Sequence, residues 1–288
     1  MTGSDDSAAD VYSDWDSLRR TYADLVGAGF HTWIAAAQAH HQDQRAFALG
    51  RLEEGIGLLH FFDGRLAASR AASEGKPAAP VRLLDVGTGV GGVALAFGNS
   101  KRYEVFSLDH LANRSPSILA ARCGIPFRHV LASGAILPYA AASFDVVLLV
   151  DVIEHVARAA ELGREVVRVL RPGGLCLVST AARMRYVLAP DPHYGIRGLV
   201  ALPNGLQRVV VDSVFRRRST APDGTPQPAY DVARTYTHVR EIARLFPGTD
   251  AEPLYSKTLV RGAPFPSREW WRWRLKGFLF DHVLLTKA

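Results

Sequence analysis

The sequence predicts an α/β fold: a doubly wound, mostly parallel seven-stranded sheet with a helical N-terminal cap and an insert after the fifth strand. Three observations predict it. Short apolar runs alternate with helix-like stretches from residue 81 onward. A glycine-rich turn follows the first of these runs. A carboxylate, Asp109, ends the second run about twenty residues after that turn.

Taken in order, residues 1–10 are polar and predict an unstructured start. From Trp15 to about Arg70, apolar residues recur at three- and four-residue steps (Leu18, Tyr22, Leu25, Val26; then Leu49, Leu52, Ile56, Leu59), which predicts helices. The segment ASEGKPAAP at 72–80 reads as a linker. These features divide the chain into a helical region, 1–79, and a main domain, 80–288.

In the main domain, VRLLDVG (81–87) reads as the first strand, followed by a helix over 90–97. YEVFSLD (103–109) reads as the second strand. Ser115 with Pro116 behind it reads as the start of a helix ending near Cys123. FRHVLA (127–132) is the third strand and FDVVLLVDV (144–152) the fourth. The fourth is the most apolar, as a strand covered on both faces should be. A helix follows over 157–170. LRPGG (170–174) reads as a tight turn into the fifth strand, 175–180. A helix at 238–246 and strands around 254–259 and 278–285 complete the set. Between them, residues 181–236 hold six prolines and four glycines and read as an irregular insert, a lid or substrate-recognition element. It follows the carboxyl end of a strand, where ligands bind in this architecture.

Composition narrows the function. Hydrophobic residues make up 48% of 288, enough for a packed core. The chain has no apolar stretch of about 18 residues and no basic, apolar leader, so a cytoplasmic protein is expected. Cys123 and Cys176 are far apart, without metal-type spacing, and no other cluster has such spacing. No metal is expected. The net charge is +6, and residues 205–276 carry thirteen Lys/Arg against seven Asp/Glu, which is the whole excess.

The chemistry sits in Asp85-Val86-Gly87-Thr88-Gly89-Val90-Gly91-Gly92. Glycines here let the backbone turn and approach a ligand at a helix N-terminus. Gly87, Gly89 and Gly92 also satisfy G-x-G-x-x-G, so a dinucleotide site must be weighed. Asp85 opposes that reading, because a carboxylate beside a pyrophosphate is unfavourable. It suits a cationic, phosphate-free ligand. Asp109 is placed to accept hydrogen bonds from ribose hydroxyls and fits either ligand. A Tyr-x-x-x-Lys-type catalytic pattern, which would favour an oxidoreductase, is missing.

LLDVGTGVGG (83–92), Asp109, LPY (137–139), SFDVVLLVDVIEHV (143–156) and VLRPGGLCLVST (169–180) together resemble the successive motifs of class I S-adenosylmethionine (SAM)-dependent methyltransferases, in order and spacing over about 100 residues. The closest resemblance is to the small-molecule branch that includes ubiquinone- and menaquinone-biosynthesis, natural-product and sugar enzymes. The resemblance implies a Rossmann-like domain with SAM as cofactor. It implies that Asp85, Gly87, Thr88 and Gly89 line the methionine part of SAM, that Asp109 holds the ribose, and that His110 and Leu111 flank the adenine. The acidic residue usual before LPY is replaced by Ser133, with the Gly134 and Ala135 backbone beside it. Val150 and Asp151 should approach the SAM amino group and the transfer centre. The resemblance also implies that the N-terminal helices cover the cofactor.

Two histidines are candidate general bases: His155 in IEHV, and His193 in Asp191-Pro192-His193-Tyr194-Gly195. The expected reaction is methyl transfer from SAM to a small molecule, foremost to an oxygen of a secondary metabolite or sugar. N- or C-methylation of an aromatic or alkaloid-like metabolite, or a non-catalytic SAM-binding role, are the alternatives. SREWWRWRLKGF (267–278) interleaves three tryptophans with four cations. Strand packing, a peripheral contact with membrane or lipid-linked substrate, and an aromatic pocket wall are its three readings. No nucleic-acid-binding module is recognisable, so nucleic acid is not an expected partner.

Overall fold

The computed structural model describes residues 14–27, 44–70, 79–110, 115–134, 136–180, 186–187, 190, 194–216, 218–220, 226–228, 238–254 and 282–288. The helices are α1 (Trp15–Gly27), α2 (Gln44–Arg70), α3 (Gly92–Gly98), α4 (Ser115–Cys123), α5 (Ala159–Val169), α6 (Asn204–Val209) and α7 (Val239–Ala243). The strands are β1 (Val81–Val86), β2 (Tyr103–Asp109), β3 (Arg128–Leu131), β4 (Phe144–Val150), β5 (Leu170–Ser179), β6 (Arg218–Thr220), β7 (Pro226–Pro228), β8 (Thr249–Leu254) and β9 (His282–Lys287). Seven strands form one sheet in the order β3-β2-β1-β4-β5-β9-β8, and β6 pairs with β7 separately. The pairs β1–β2 and β2–β3 are parallel, whereas β9 runs antiparallel to both β5 and β8. The expected fold class is the one observed.

The chain divides into two compact units, one built mainly on residues 1–133 and the other mainly on 147–288. In the first, β1 and β2 bury nearly every side chain. The N-terminal helices share a core with α3 and α4. Leu18, Tyr22 and Val26 of α1 and Leu52 and Ile56 of α2 meet Leu95, Ala96 and Leu119. Arg19 Nε and Nη2 donate to Glu53 at 2.6 and 3.1 Å and join α1 to α2 at the surface. Glycine sets the close approach of α2 to α3. A Cβ at Gly55 would stand 2.8 Å from Val93 Cα, and one at Gly92 would stand 2.9 Å from the Leu52 nitrogen. Any side chain at either position would push the two helices apart.

In the second unit α5 is amphipathic and buries Leu162, Val166 and Val169. Its last turn is closed by Lys287, whose Nζ donates to the carbonyls of Val167 and Leu170, each at 2.7 Å. A cation at a helix C-terminus meets both the orphan carbonyls and the helix dipole. The absent side chain of Gly163 leaves room for the Leu245 carbonyl, so the segment after α7 packs directly on α5.

Three boundaries differ from the sequence reading. Strand β5 starts at Leu170, so LRPGG lies within it. Arg171 to Gly173 are exposed there, where Pro172's missing N–H is not needed by a buried ladder, and Gly173 takes φ 72. Strand β8, Thr249–Leu254, starts before the expected 254, and β9, His282–Lys287, runs past the expected 285; 255–259 and 278–281 lie outside the described residues. The insert also carries more order than its prolines suggest. Leu199–Ala201 form a 3-10 turn, α6 continues into a π-helical turn at Val210–Val214, and β6 and β7 pair.

Among the described residues, no helix is long and apolar enough to cross a membrane, and no group of three or more His, Cys, Asp or Glu side chains could hold a metal ion. The segment 267–278 lies outside the described residues.

Candidate functional site

The glycine-rich turn links the ends of β1 and β2 inside the first unit. Its glycines are required by conformation: Gly87, Gly89 and Gly91 have φ of 73, 53 and 84, a region that side chains disfavour. Gly91 also has Pro116 Cα only 3.2 Å from where its Cβ would stand. The backbone N–H groups of Gly87 and Thr88 both donate to the Leu108 carbonyl, at 2.8 and 3.1 Å. The N–H of Gly89 donates to Asp109 Oδ2 at 2.9 Å. Three successive donors that a pyrophosphate would use are thus engaged by the end of β2.

Acidity dominates what remains. Asp85 is 2% exposed. Its one described hydrogen bond comes from the Thr88 hydroxyl to Oδ2, at 2.7 Å. Burial pushes its pKa up to about 7; the nearby charges of Asp109 and Glu54 push the same way, and Thr88 and Arg51 oppose them. Asp109 is also buried, and His110 Nδ1 lies 3.3 Å from its Oδ1. That contact holds the His110 imidazolium above its ordinary range. Arg51 and Glu54, one helical turn apart on α2, form an ion pair at 2.8 Å. They come near Asp85 because Gly92 lets the α2 backbone, including Arg51 Cβ, press on the start of α3.

In the second unit the polar groups gather at the carboxyl ends of β4 and β5. Asp151 has φ 53, an unusual conformation for a residue with a side chain. Two contacts hold it there. Its N–H donates to the Ser179 carbonyl at 3.2 Å, and the Ser179 hydroxyl donates to its Oδ1 at 2.8 Å. Thr180, 2% exposed, has no hydrogen-bond partner for Oγ1 among the described residues. Ile153–His155 form a 3-10 turn that buries Glu154 and leaves His155 exposed. Gly134 packs against Leu162, and Ser133 of the first unit is exposed.

Asp85, Gly87, Thr88, Gly89, Asp109 and His110 therefore stand together in one unit, and Val150, Asp151 and His155 on one strand end and its following turn in the other. Leu111, Ala135, Asp191 and His193 lie outside the described residues. Sequence reasoning missed Arg51, Glu54, Glu154, Ser179 and Thr180. A signal existed for the first two: LEEGIG carries two glycines inside a helical pattern, each costing about 1 kcal/mol against Ala unless packing needs them.

A family model described as a methyltransferase domain matches residues 84–178. An uncharacterised methyltransferase of Mycobacterium marinum (strain ATCC BAA-535 / M) is 39% identical over an alignment of 126 residues, with 41% of this chain and 49% of the relative covered. One of Mycobacterium avium (strain 104) is 41% identical over 131 residues, with the same shares. The chain spans about half the length of the curated relatives it matches. Among solved structures, the PH0226 protein of Pyrococcus horikoshii OT3 is 13% identical, covers 90% of this chain and 97% of its own, and has a TM-score of 0.48.

Proposed function

We propose that this chain, whose residues 84–178 match a methyltransferase domain, is a class I SAM-dependent methyltransferase that moves the methyl group of SAM to a small-molecule acceptor, foremost to an oxygen of a secondary metabolite or sugar. One observation carries the reading of the cofactor. The glycine-rich turn presents buried Asp85 and Asp109, and three of its backbone donors are already engaged. Such a cradle opposes phosphate. It suits a ligand with a sulfonium, an ammonium and a ribose.

In this reading Asp109 accepts from the ribose hydroxyls, and Asp85 with Gly87, Thr88 and Gly89 faces the amino-acid end. Arg51 can meet the carboxylate of that end by exchanging its Glu54 partner. His110, Ser133, Gly134 and Ala135 flank the adenine, and Val150 and Asp151 approach the transfer centre. SAM, when bound, supplies a methyl carbon already activated by its sulfonium. The chain's own work is alignment, exclusion of water and, for a hydroxyl acceptor, removal of a proton. His155 and His193 are the proposed bases, and the oxygen preference rests on them.

The test supplies methyl-labelled SAM with panels of hydroxylated small metabolites. The shift of the labelled carbon in an NMR spectrum separates O-, N- and C-methyl products. His155→Gln and His193→Gln should keep cofactor binding, and at least one should lose turnover. Full activity in both would remove the base from the account. Cofactor binding with no transfer to any acceptor would favour a non-catalytic SAM-binding role.

A further inference from the structure

The insert holds a helix with two apolar faces. One face is used: Val211 packs with Ile196 and Leu199 in a small separate core, and Gln207 donates to the Leu202 carbonyl at 2.7 Å. The other is open. Leu206, Val209, Val214 and Phe215 are 54, 51, 66 and 51% exposed along α6, its π-helical turn and the residue that follows. A surface helix ordinarily turns charged or polar residues to water, and a cluster of large exposed apolar side chains marks a contact surface.

Charge says what contacts it. Residues 194–220 hold five arginines (Arg197, Arg208, Arg216, Arg217 and Arg218) against one acid, Asp212. Arg197, Arg208 and Arg216 are exposed. A second copy on this face would meet it through the same patch, arginine against arginine. A nucleic-acid strand would want stacking rings, and the face is aliphatic apart from Phe215. Aliphatic and aromatic side chains rimmed by arginine fit the headgroup boundary of an anionic bilayer, where apolar burial and attraction to lipid charge act together.

We propose that the 204–215 helix is an interfacial docking element that seats this protein on anionic membrane surfaces. The apolar side chains enter the boundary, and the arginines meet lipid phosphates. A methyl acceptor dissolved in or tethered to that membrane would then be within reach of the insert.

The test is sedimentation of the full chain with vesicles of phosphatidylcholine alone and of phosphatidylcholine with phosphatidylglycerol. The expected result is partition onto the second kind only, falling with added salt. Leu206→Asp with Phe215→Asp should lower it at least tenfold, and Arg216→Glu, which removes no apolar contact, should lower it as well. All positions are at least half exposed or polar, and unchanged thermal unfolding of the variants confirms their fold. Failure of the wild-type chain to partition, or equal partition of the apolar variants, overturns the proposal. So does a wild-type dimer that dissociates on Leu206→Asp, which would assign the face to a second copy.

Discussion

The Thr88 hydroxyl donates to Asp85 Oδ2 at 2.7 Å, a short local bond on a carboxylate that is otherwise buried. It opposes, without cancelling, the burial that pushes Asp85 up to about 7 from 3.8. The folded chain holds the Asp85 proton over a range where the unfolded chain has released it. The stability so contributed is fully present below about pH 4 and is lost as pH rises through about 7. Wild type should therefore lose stability against Asp85→Asn by up to about 1.4 kcal/mol per pH unit over that window. Denaturant unfolding of both proteins at pH 5 and pH 8 checks this; parallel stabilities would refute it.

The same proton links to the cofactor. A cationic ligand favours ionised Asp85, so its binding should release a proton near neutral pH and tighten from pH 6 to pH 8. S-adenosylhomocysteine keeps the ammonium but lacks the sulfonium, so its pH dependence isolates the share owed to the amino-acid end. SAM itself should show the larger pH dependence. Equal pH dependence for the two would place Asp85 away from the sulfonium.

Two ends of the ligand can be separated by truncation. Asp109→Ala should weaken S-adenosylhomocysteine by roughly 1.5–3 kcal/mol, the usual loss for a charged hydrogen-bonding group. It should weaken 5′-methylthioadenosine, which lacks the amino-acid end, by a similar amount. Arg51→Met should weaken only the first ligand. Loss of both on Arg51→Met would mean that α2 acts by shaping the loop and makes no ligand contact.

Gly92 and Gly55 set the approach of α2 to α3. Gly92→Ala places a methyl 2.9 Å from the Leu52 nitrogen, against backbone that cannot swing aside. Overpacking of this kind costs about 1–3 kcal/mol, and because Arg51 and Glu54 ride on α2, cofactor affinity should fall as well. Gly57→Ala, on the same helix with open space around it, is the control and should be neutral or slightly stabilising. Thermal unfolding of the three proteins separates these outcomes.

Tyr22 is fully buried, and its hydroxyl has no hydrogen-bond partner among the described residues. Burying that hydroxyl unpaired carries a cost of about 1–3 kcal/mol, so Tyr22→Phe should keep or raise stability. A clear loss in denaturant unfolding would reveal a partner for the hydroxyl.

The alternation of strands and helices was legible because buried parallel strands are continuous apolar runs, and β4 buries all seven of its side chains. Asp85 and Asp109 were legible because they end strands at a glycine turn. What escaped was set by distance in the chain. Arg51 and Glu54 reach the turn through a glycine contact some forty residues away, and no local pattern encodes that pairing. Ser179 was visible only as the end of a strand, since its bond to Asp151 depends on strand register and on Asp151 at φ 53. The start of β5 moved because exposed Pro172 and Gly173 imitate a turn in sequence while the backbone runs on as strand.

Cofactor binding can be measured before any acceptor is known. The measurement is calorimetric titration of the full chain with S-adenosylhomocysteine, with NADH as the parallel ligand. Micromolar binding of the first, lost in Asp109→Ala, and no binding of the second are expected. Binding of NADH without S-adenosylhomocysteine would contradict the cofactor assignment, because the acidic turn would then be holding a pyrophosphate.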